Sequence, residues 1–375
     1  MARERRPWSD WRMALLVVLL GAGALDGWAQ SGRRPQGQAP PPILRLTTLE
    51  VAVPLLATDA NGRFVDDLQP HEVLVLEEGE SRPVASLKRE PAHLLLLLDG
   101  ANEFGTFKNG PTRRYRGEDR PIWEKPAPES SQLARPTAHS FAVSLLAQLS
   151  PLDEVAVIQY ADRVRLLQDW TRDHAQVRRA LEAGYRVGLR SSFYDALQLA
   201  AVKLAEKREG RRTLVLLSDG VDTASKAGPD RAIRALEAAQ ATVFVVGWAA
   251  ALRREIELAV DWMRTHEAFT SNSARRLGEL RSYLGDLERQ GQELRLLAEQ
   301  TGGVFHLPAN HEEVLATARP LAQEIGAQYS LTFITEPRPS DEARRRIEVL
   351  PARPGLSVYS RRRILAPDPD RGREP

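Results

Sequence analysis

The chain has 375 residues, 42% of them hydrophobic and 27% charged, long enough for more than one average domain and apolar enough for a sizeable core. Its 52 basic and 50 acidic residues give a net charge of +2, which excludes a long-range field favouring nucleic acid or an anionic membrane. It has no cysteine, which excludes disulfides, a thiol nucleophile, cysteine zinc sites and a cysteine-linked lipid anchor.

Residues 1–29 read as a secretion signal. Arg3, Arg5, Arg6 and Arg12 form a basic start, Met13 to Leu25 is a 13-residue apolar stretch, and Gly27-Trp28-Ala29 supplies small residues for cleavage. The stretch is short for a membrane span; the competing reading is an uncleaved anchor. The expected mature chain starts near Gln30, has no membrane span and is periplasmic or secreted. Residues 30–42 are a Pro/Gln-rich linker. Residues 43–90 read as a small β segment, with a turn at Asp59-Ala60-Asn61-Gly62 and a short apolar run from Val73 to Leu76.

The pattern then changes. His93–Leu98, Val155–Tyr160, Thr213–Leu217 and Thr242–Val246 are short and nearly all apolar, as strands buried on both faces of a parallel sheet should be. Helical segments lie between them at 140–149, 177–183, 194–207 and 232–241, with Pro229 placed for a first turn. Strands alternating with helices predict an α/β fold with a doubly wound, mainly parallel sheet over 91–326.

Two insertions interrupt that domain. Residues 103–136 are polar and read as a long loop. Residues 251–290 are charged and helical, and Leu277, Leu280, Leu284 and Leu287 form a stripe that packs on its own domain or, alternatively, in a coiled coil with a partner. Gly302-Gly303 should end a helix before a core strand at 304–306. Residues 312–325 read as a helix kinked at Pro320. Residues 327–366 carry C-terminal β-strands at 329–334, 346–350 and 355–364, and 367–375 is a tail.

In open α/β sheets, ligands sit beyond the carboxyl ends of the strands. Asp99 ends the first run, Ser218-Asp219-Gly220 ends the third, and Ser191-Ser192 precede the helix at Tyr194. Two carboxylates and a hydroxyl make an oxygen-only site suited to Mg²⁺, Mn²⁺ or Ca²⁺ rather than zinc. The competing reading has Asp99 and Asp219 capping turns and helix starts.

LLLLLDGANE, SSFYDAL and TLVLLSDGVDTAS, in that order, resemble a von Willebrand factor type A domain. TDANGRFVDDLQPHEVLVLEEGE ahead of them, and LRLLAEQTGG, QYSLTF and RPGLSVYSRR behind, resemble secreted bacterial VWFA-related proteins over roughly 46–366. The resemblance implies a metal site of the form Asp-x-Ser-x-Ser, a Thr from a second loop and an Asp from a third. Here Asp99 and Asp219 match, Ser191 substitutes for the Thr, and Ala101 and Glu103 stand in place of the two serines. Ala101 cannot ligate, and Glu103 adds a negative charge. The implied site is degenerate, with metal ligands Asp99, Glu103, Ser191 and Asp219 and a divalent cation (Mg²⁺ or Ca²⁺) weakly bound or absent.

Enzyme motifs fail. The His-Glu pairs at His71, His266 and His311 have Val75, Thr270 and Leu315 where a second zinc histidine belongs, and Pro111 replaces the lysine of a phosphate loop. No G-x-S-x-G elbow occurs. Trp248 follows the fourth strand and is expected in core or rim packing. The reading is a non-enzymatic, extracytoplasmic protein-binding module, for adhesion or scaffolding, with a protein partner in the envelope or outside the cell and no nucleic acid. The alternative is a metal-dependent hydrolase or other enzyme on the same fold.

Overall fold

The computed structural model describes residues 49–101, 113–115, 118–120, 134–188, 190–266, 271–336 and 344–365. The expected leader (1–29), linker (30–42) and tail (367–375), and most of the 103–136 segment, lie outside the described residues. In chain order, β1 (Leu49–Thr58) leads to a single 3₁₀ turn (Pro70–Glu72), β2 (Val73–Glu77), β3 (Glu80–Arg82), β4 (Val84–Lys88) and β5 (Ala92–Asp99). A hairpin of β6 (Arg113–Tyr115) and β7 (Glu118–Arg120) precedes α1 (Ala134–Leu146), β8 (Glu154–Tyr160), β9 (Val164–Thr171), α2 (His174–Gly184) and α3 (Phe193–Ala205). Next come β10 (Arg211–Ser218), α4 (Pro229–Ala238), β11 (Thr242–Gly247), α5 (Ala249–His266), α6 (Ser271–Thr301) and β12 (Phe305–His306). The chain closes with α7 (His311–Ala316), α8 (Ala318–Ala327), β13 (Tyr329–Thr335), β14 (Arg344–Pro351), β15 (Ser357–Ser360) and β16 (Arg363–Leu365).

The central sheet has the order β12-β11-β10-β5-β8-β9. Five strands are parallel, and β9 runs antiparallel at the edge beside β8. The apolar runs are required because successive side chains point to opposite faces and both faces are covered. Leu94, Leu96, Leu98, Val157, Val215 and Val246 face one layer, made by α1, α2, α7 and α8 through Phe141, Leu145, Leu181, Val314, Leu321 and Ile325. Leu95, Leu97, Ile158, Leu214, Leu216 and Val245 face the other, made by α3, α4 and the end of α6 through Phe193, Leu197, Leu236, Leu294 and Leu297. This is the doubly wound, mainly parallel α/β fold expected.

The strands at the two ends of the described chain meet. One sheet has the order β15-β1-β13-β4 and the other β16-β14-β2-β3; Leu49 pairs with Thr335 and Val75 with Val349. Val53, Leu55, Val75, Leu331, Phe333 and Ile347 share one core between them. At its margin the buried Glu77 carboxylate accepts bonds from Arg82 Nε (2.7 Å), Arg345 Nη1 (2.8 Å) and Thr335 Oγ1 (2.6 Å). Thr335 belongs to the opposite sheet, so this network joins the two layers.

Several expected elements differ in detail. The helix expected at 140–149 starts at Ala134, within the segment read as loop, and that segment also carries the β6–β7 hairpin. Strand β9 had no counterpart in the expected set. The kinked helix over 312–325 is two helices: Thr317 separates α7 from α8, its hydroxyl donating to the Glu313 carbonyl at 2.7 Å. Pro320 then falls in the first turn of α8, where no intrahelical N–H is needed. The strand expected over 355–364 is split into β15 and β16, and the 251–290 segment is divided between α5 and α6, with α6 continuing to Thr301. Among the described residues no helix is long and apolar enough to cross a membrane.

Candidate metal site at the strand ends

The sheet order runs outward from β5 in both directions, so the winding reverses between β5 and β10 and leaves a crevice beyond their carboxyl ends. Asp99 is the last residue of β5, and Asp219 directly follows β10. Tyr160, at the end of β8, donates its hydroxyl to Ser218 Oγ at 2.6 Å, and that oxygen also accepts from the Gly220 N–H at 2.8 Å. Burial pushes the Tyr160 phenol well above its ordinary pKa; the Asp99 charge adds to this, and Asp219 adds less, against the lowering effect of Ser218. Both carboxylates therefore act to keep this buried phenol protonated.

Each carboxylate also holds its own turn. Asp99 Oδ1 accepts from the Ala101 N–H at 2.8 Å, and the Asp99 carbonyl accepts from Tyr185 Oη at 2.7 Å. Asp219 Oδ1 accepts from the Val221 N–H at 2.9 Å. These bonds are a turn-capping role. The Ser191 loop is tied to the same place through the segment after Asp219. Its N–H donates to Thr223 Oγ1 at 2.9 Å, and its carbonyl accepts from the Thr223 and Ala224 N–H groups at 2.9 and 2.8 Å. Asp222 Oδ1 accepts the Phe193 N–H at 2.8 Å, fixing the start of α3. Ser191 is 1% exposed, and its Oγ has no hydrogen-bond partner.

The second oxygen of Asp219 is occupied. Tyr283 of α6 donates its hydroxyl to Asp219 Oδ2 at 3.1 Å. Asp219 is 8% exposed. Burial pushes its pKa up to about 6, opposed by the Val221 N–H and the Tyr283 hydroxyl. Helix α6 lies close over the loop: Gly220 has φ +82°, and a Cβ there would stand 2.9 Å from Leu294 Cδ1 and 3.1 Å from Gln290 Cβ. Leu277, Leu280 and Leu287 share one buried cluster with Val221 and with Ile256 of α5, and Leu284 lies against it. The leucine stripe therefore packs on its own domain. Tyr283 is the site residue that sequence reasoning missed. The signal was its place three residues after Leu280 and four before Leu287, on the buried face of the stripe.

The donors fit a hard divalent cation in kind: Asp99, Asp219 and the unpartnered Ser191 hydroxyl are all oxygen ligands. They fit it incompletely in number. Ala101 offers a methyl, Glu103 lies outside the described residues, and Tyr283 already holds one Asp219 oxygen. Among the described residues no three His, Asp or Glu side chains gather as a metal-binding group. Trp248 packs in the core, and its backbone N–H donates to the Ser218 carbonyl at 3.3 Å, as the packing reading expected.

Residues 130–282 match the family model of the von Willebrand factor type A domain. No curated protein matches the chain. Among solved structures, a von Willebrand factor type A protein from Catenulispora acidiphila is similar at 10% identity and TM-score 0.41, covering 87% of this chain and 75% of that one. An aerotolerance-related membrane protein from Bacteroides fragilis aligns at 16% identity and TM-score 0.37, over 63% of this chain and 98% of that one. Proximal thread matrix protein 1 from the mussel byssus, whose structure has a zinc-occupied MIDAS motif, aligns at 10% identity and TM-score 0.41, over 67% of this chain and 50% of that one.

Proposed function

The chain carries a von Willebrand factor type A domain, and from that premise we propose that it is an extracytoplasmic protein-binding module, for adhesion or scaffolding, with a degenerate metal-ion-dependent site. The observation that carries this reading is the state of the strand-end donors. Ser191 is tied by hydrogen bonds to the segment after Asp219, yet Ala101 cannot ligate and Asp219 is bonded to a phenol of its own chain.

A divalent cation, where present, would be held by Asp99, Ser191 and Asp219 with Glu103, and would supply a positive point able to accept a partner's carboxylate. Two carboxylates neutralise the ion formally. Glu103 as a third leaves −1 and repels an acidic partner group by about 1–4 kcal/mol at contact distance. Mg²⁺ or Ca²⁺ is accordingly weakly bound or absent, and recognition falls to the surface around the strand ends, where loops on such scaffolds carry function. The competing reading, a metal-dependent hydrolase, needs a base beside bound water. The Asp219 carboxylate, the acid group directly after β10 that would serve as such a base, is instead held by Tyr283, which supports the binding reading.

Calorimetric titration of the wild type and Ala101→Ser/Glu103→Ser with Mg²⁺ and Ca²⁺ tests the site. The double variant gains two neutral hydroxyls and should bind Mg²⁺ at least tenfold more tightly. The wild type should bind Mg²⁺ weakly and Ca²⁺ relatively better. Equal, negligible binding in both would remove the metal site from the proposal and leave a metal-independent scaffold. Pull-down from an envelope extract, run beside a generic hydrolase panel, separates a binding module from an enzyme. The proposed location, periplasmic or secreted, rests on the expected leader. Intact mass of exported protein should show a start near Gln30, and retention of 1–29 would overturn it.

A further inference from the structure

We propose that residues 271–290 of α6 are a lid that shuts the strand-end site and opens by local melting of the helix at its glycines. The lid is closed in this structure: Tyr283 holds Asp219 Oδ2 at 3.1 Å, and Leu277, Leu280 and Leu287 share one buried cluster with Val221. With these contacts in place Asp219 is 8% exposed.

The same helix is weakened where packing does not demand it. Gly278, Gly285 and Gly291 lie inside α6, and a Cβ at any of them would meet nothing within 4 Å. Each glycine lowers helix stability about four- to fivefold relative to alanine, so three open positions in one helix make its first two-thirds the part that melts first. The far end is fixed. Leu294, Leu297 and Ala298 are buried in the sheet's core, so melting stops near Gly291. Opening uncovers Asp219 and the apolar cluster around Val221 together. The lid rests on the proposed binding reading for what it serves, and not for whether it moves.

The absence of native cysteine makes the test direct. Val221→Cys places a lone thiol under the lid, and Val245→Cys places one in the central sheet as a measure of global unfolding. Under native conditions the thiol at 221 should react with a small alkylating reagent at least tenfold faster than the thiol at 245. Adding Gly285→Ala and Gly291→Ala should slow it roughly fifteen- to thirtyfold, and adding Tyr283→Phe should speed it about tenfold. Equal reaction at 221 and 245, or a change under twofold from the alanine pair, overturns the lid. Hydrogen exchange of the wild type covers the case of a variant that does not fold. Amides over 274–290 should exchange well ahead of those in β10, and equal protection overturns the proposal. Neither readout uses an ion or a partner, so a failed cation titration leaves the lid standing, and a lid that does not open leaves the binding reading standing.

Discussion

Replacing Glu77 by Gln should cost about 3–5 kcal/mol at pH 7, the range for breaking a buried ion pair. The size follows from the geometry. Three donors converge on this buried carboxylate, from Arg82, Arg345 and Thr335. Glutamine keeps one acceptor oxygen and turns an NH₂ group towards the other donors. Arg345, itself buried and already carrying an unpartnered Nη2, would keep its charge without a counter-charge. Against a total stability of about 5–15 kcal/mol, such a loss is large. The effect must also depend on pH. Burial alone would raise the Glu77 pKa, but the bonds from Thr335, Arg345 and Arg82 outweigh it and hold the carboxyl below its ordinary 4.5. A carboxyl depressed in the folded state stabilises the fold above its unfolded pKa, and that contribution is lost as pH falls through the folded value. Urea unfolding followed by circular dichroism should therefore show a gap between wild type and variant that is widest near neutrality and narrows in acid. A loss under about 1 kcal/mol at pH 7, or a gap unchanged between pH 7 and pH 3, would refute the reasoning.

Leu96 is fully buried in β5, in register with Val215 and Val157 on either side. Leu96→Asp buries an unpaired charge there and should prevent folding; a soluble, cooperatively melting variant would show that β5 is not the central strand. At Gly303 a Cβ would overlap the Val243 carbonyl, so Gly303→Ala should lose about 1–3 kcal/mol in thermal melts. Gly326→Ala, in open space near the end of α8, should gain up to about 1 kcal/mol. The same sign at both positions would contradict the packing.

The central sheet was legible because strands covered on two faces must be apolar at every position, and four such runs stand out from their surroundings. Asp99 and Asp219 lie at strand ends as their sequence positions predicted, Asp99 closing β5 and Asp219 directly following β10. Strand β9 was hidden. At the sheet edge only one side packs, and VRLLQDWT mixes charged and apolar residues without the all-apolar signature. The break at Thr317 was hidden too, because a proline in a helical run reads equally as a kink or as the first turn of a new helix. Tyr283 could not be assigned from its neighbours, since its partner is 64 residues away in sequence. The joining of β1 to β13 is beyond any local pattern for the same reason.

That joining sets an order of events as the chain folds. Strand β1 must wait for β13, which starts about 270 residues after β1 ends, before it has a neighbour in its sheet. Closing so long a loop in an open chain is slow and entropically costly. The α/β domain removes most of that cost when it folds first. It begins at Ala92, just after β4, and ends at Ala327, just before β13, and β4 and β13 are themselves paired at Lys88 and Ser330. The folded domain thus delivers both ends of the sandwich to one place, as a clasp is brought together by the bracelet it closes. Until then β1 to β4 remain an unsatisfied edge, so damage to the α/β core is felt first as aggregation of the amino-terminal strands.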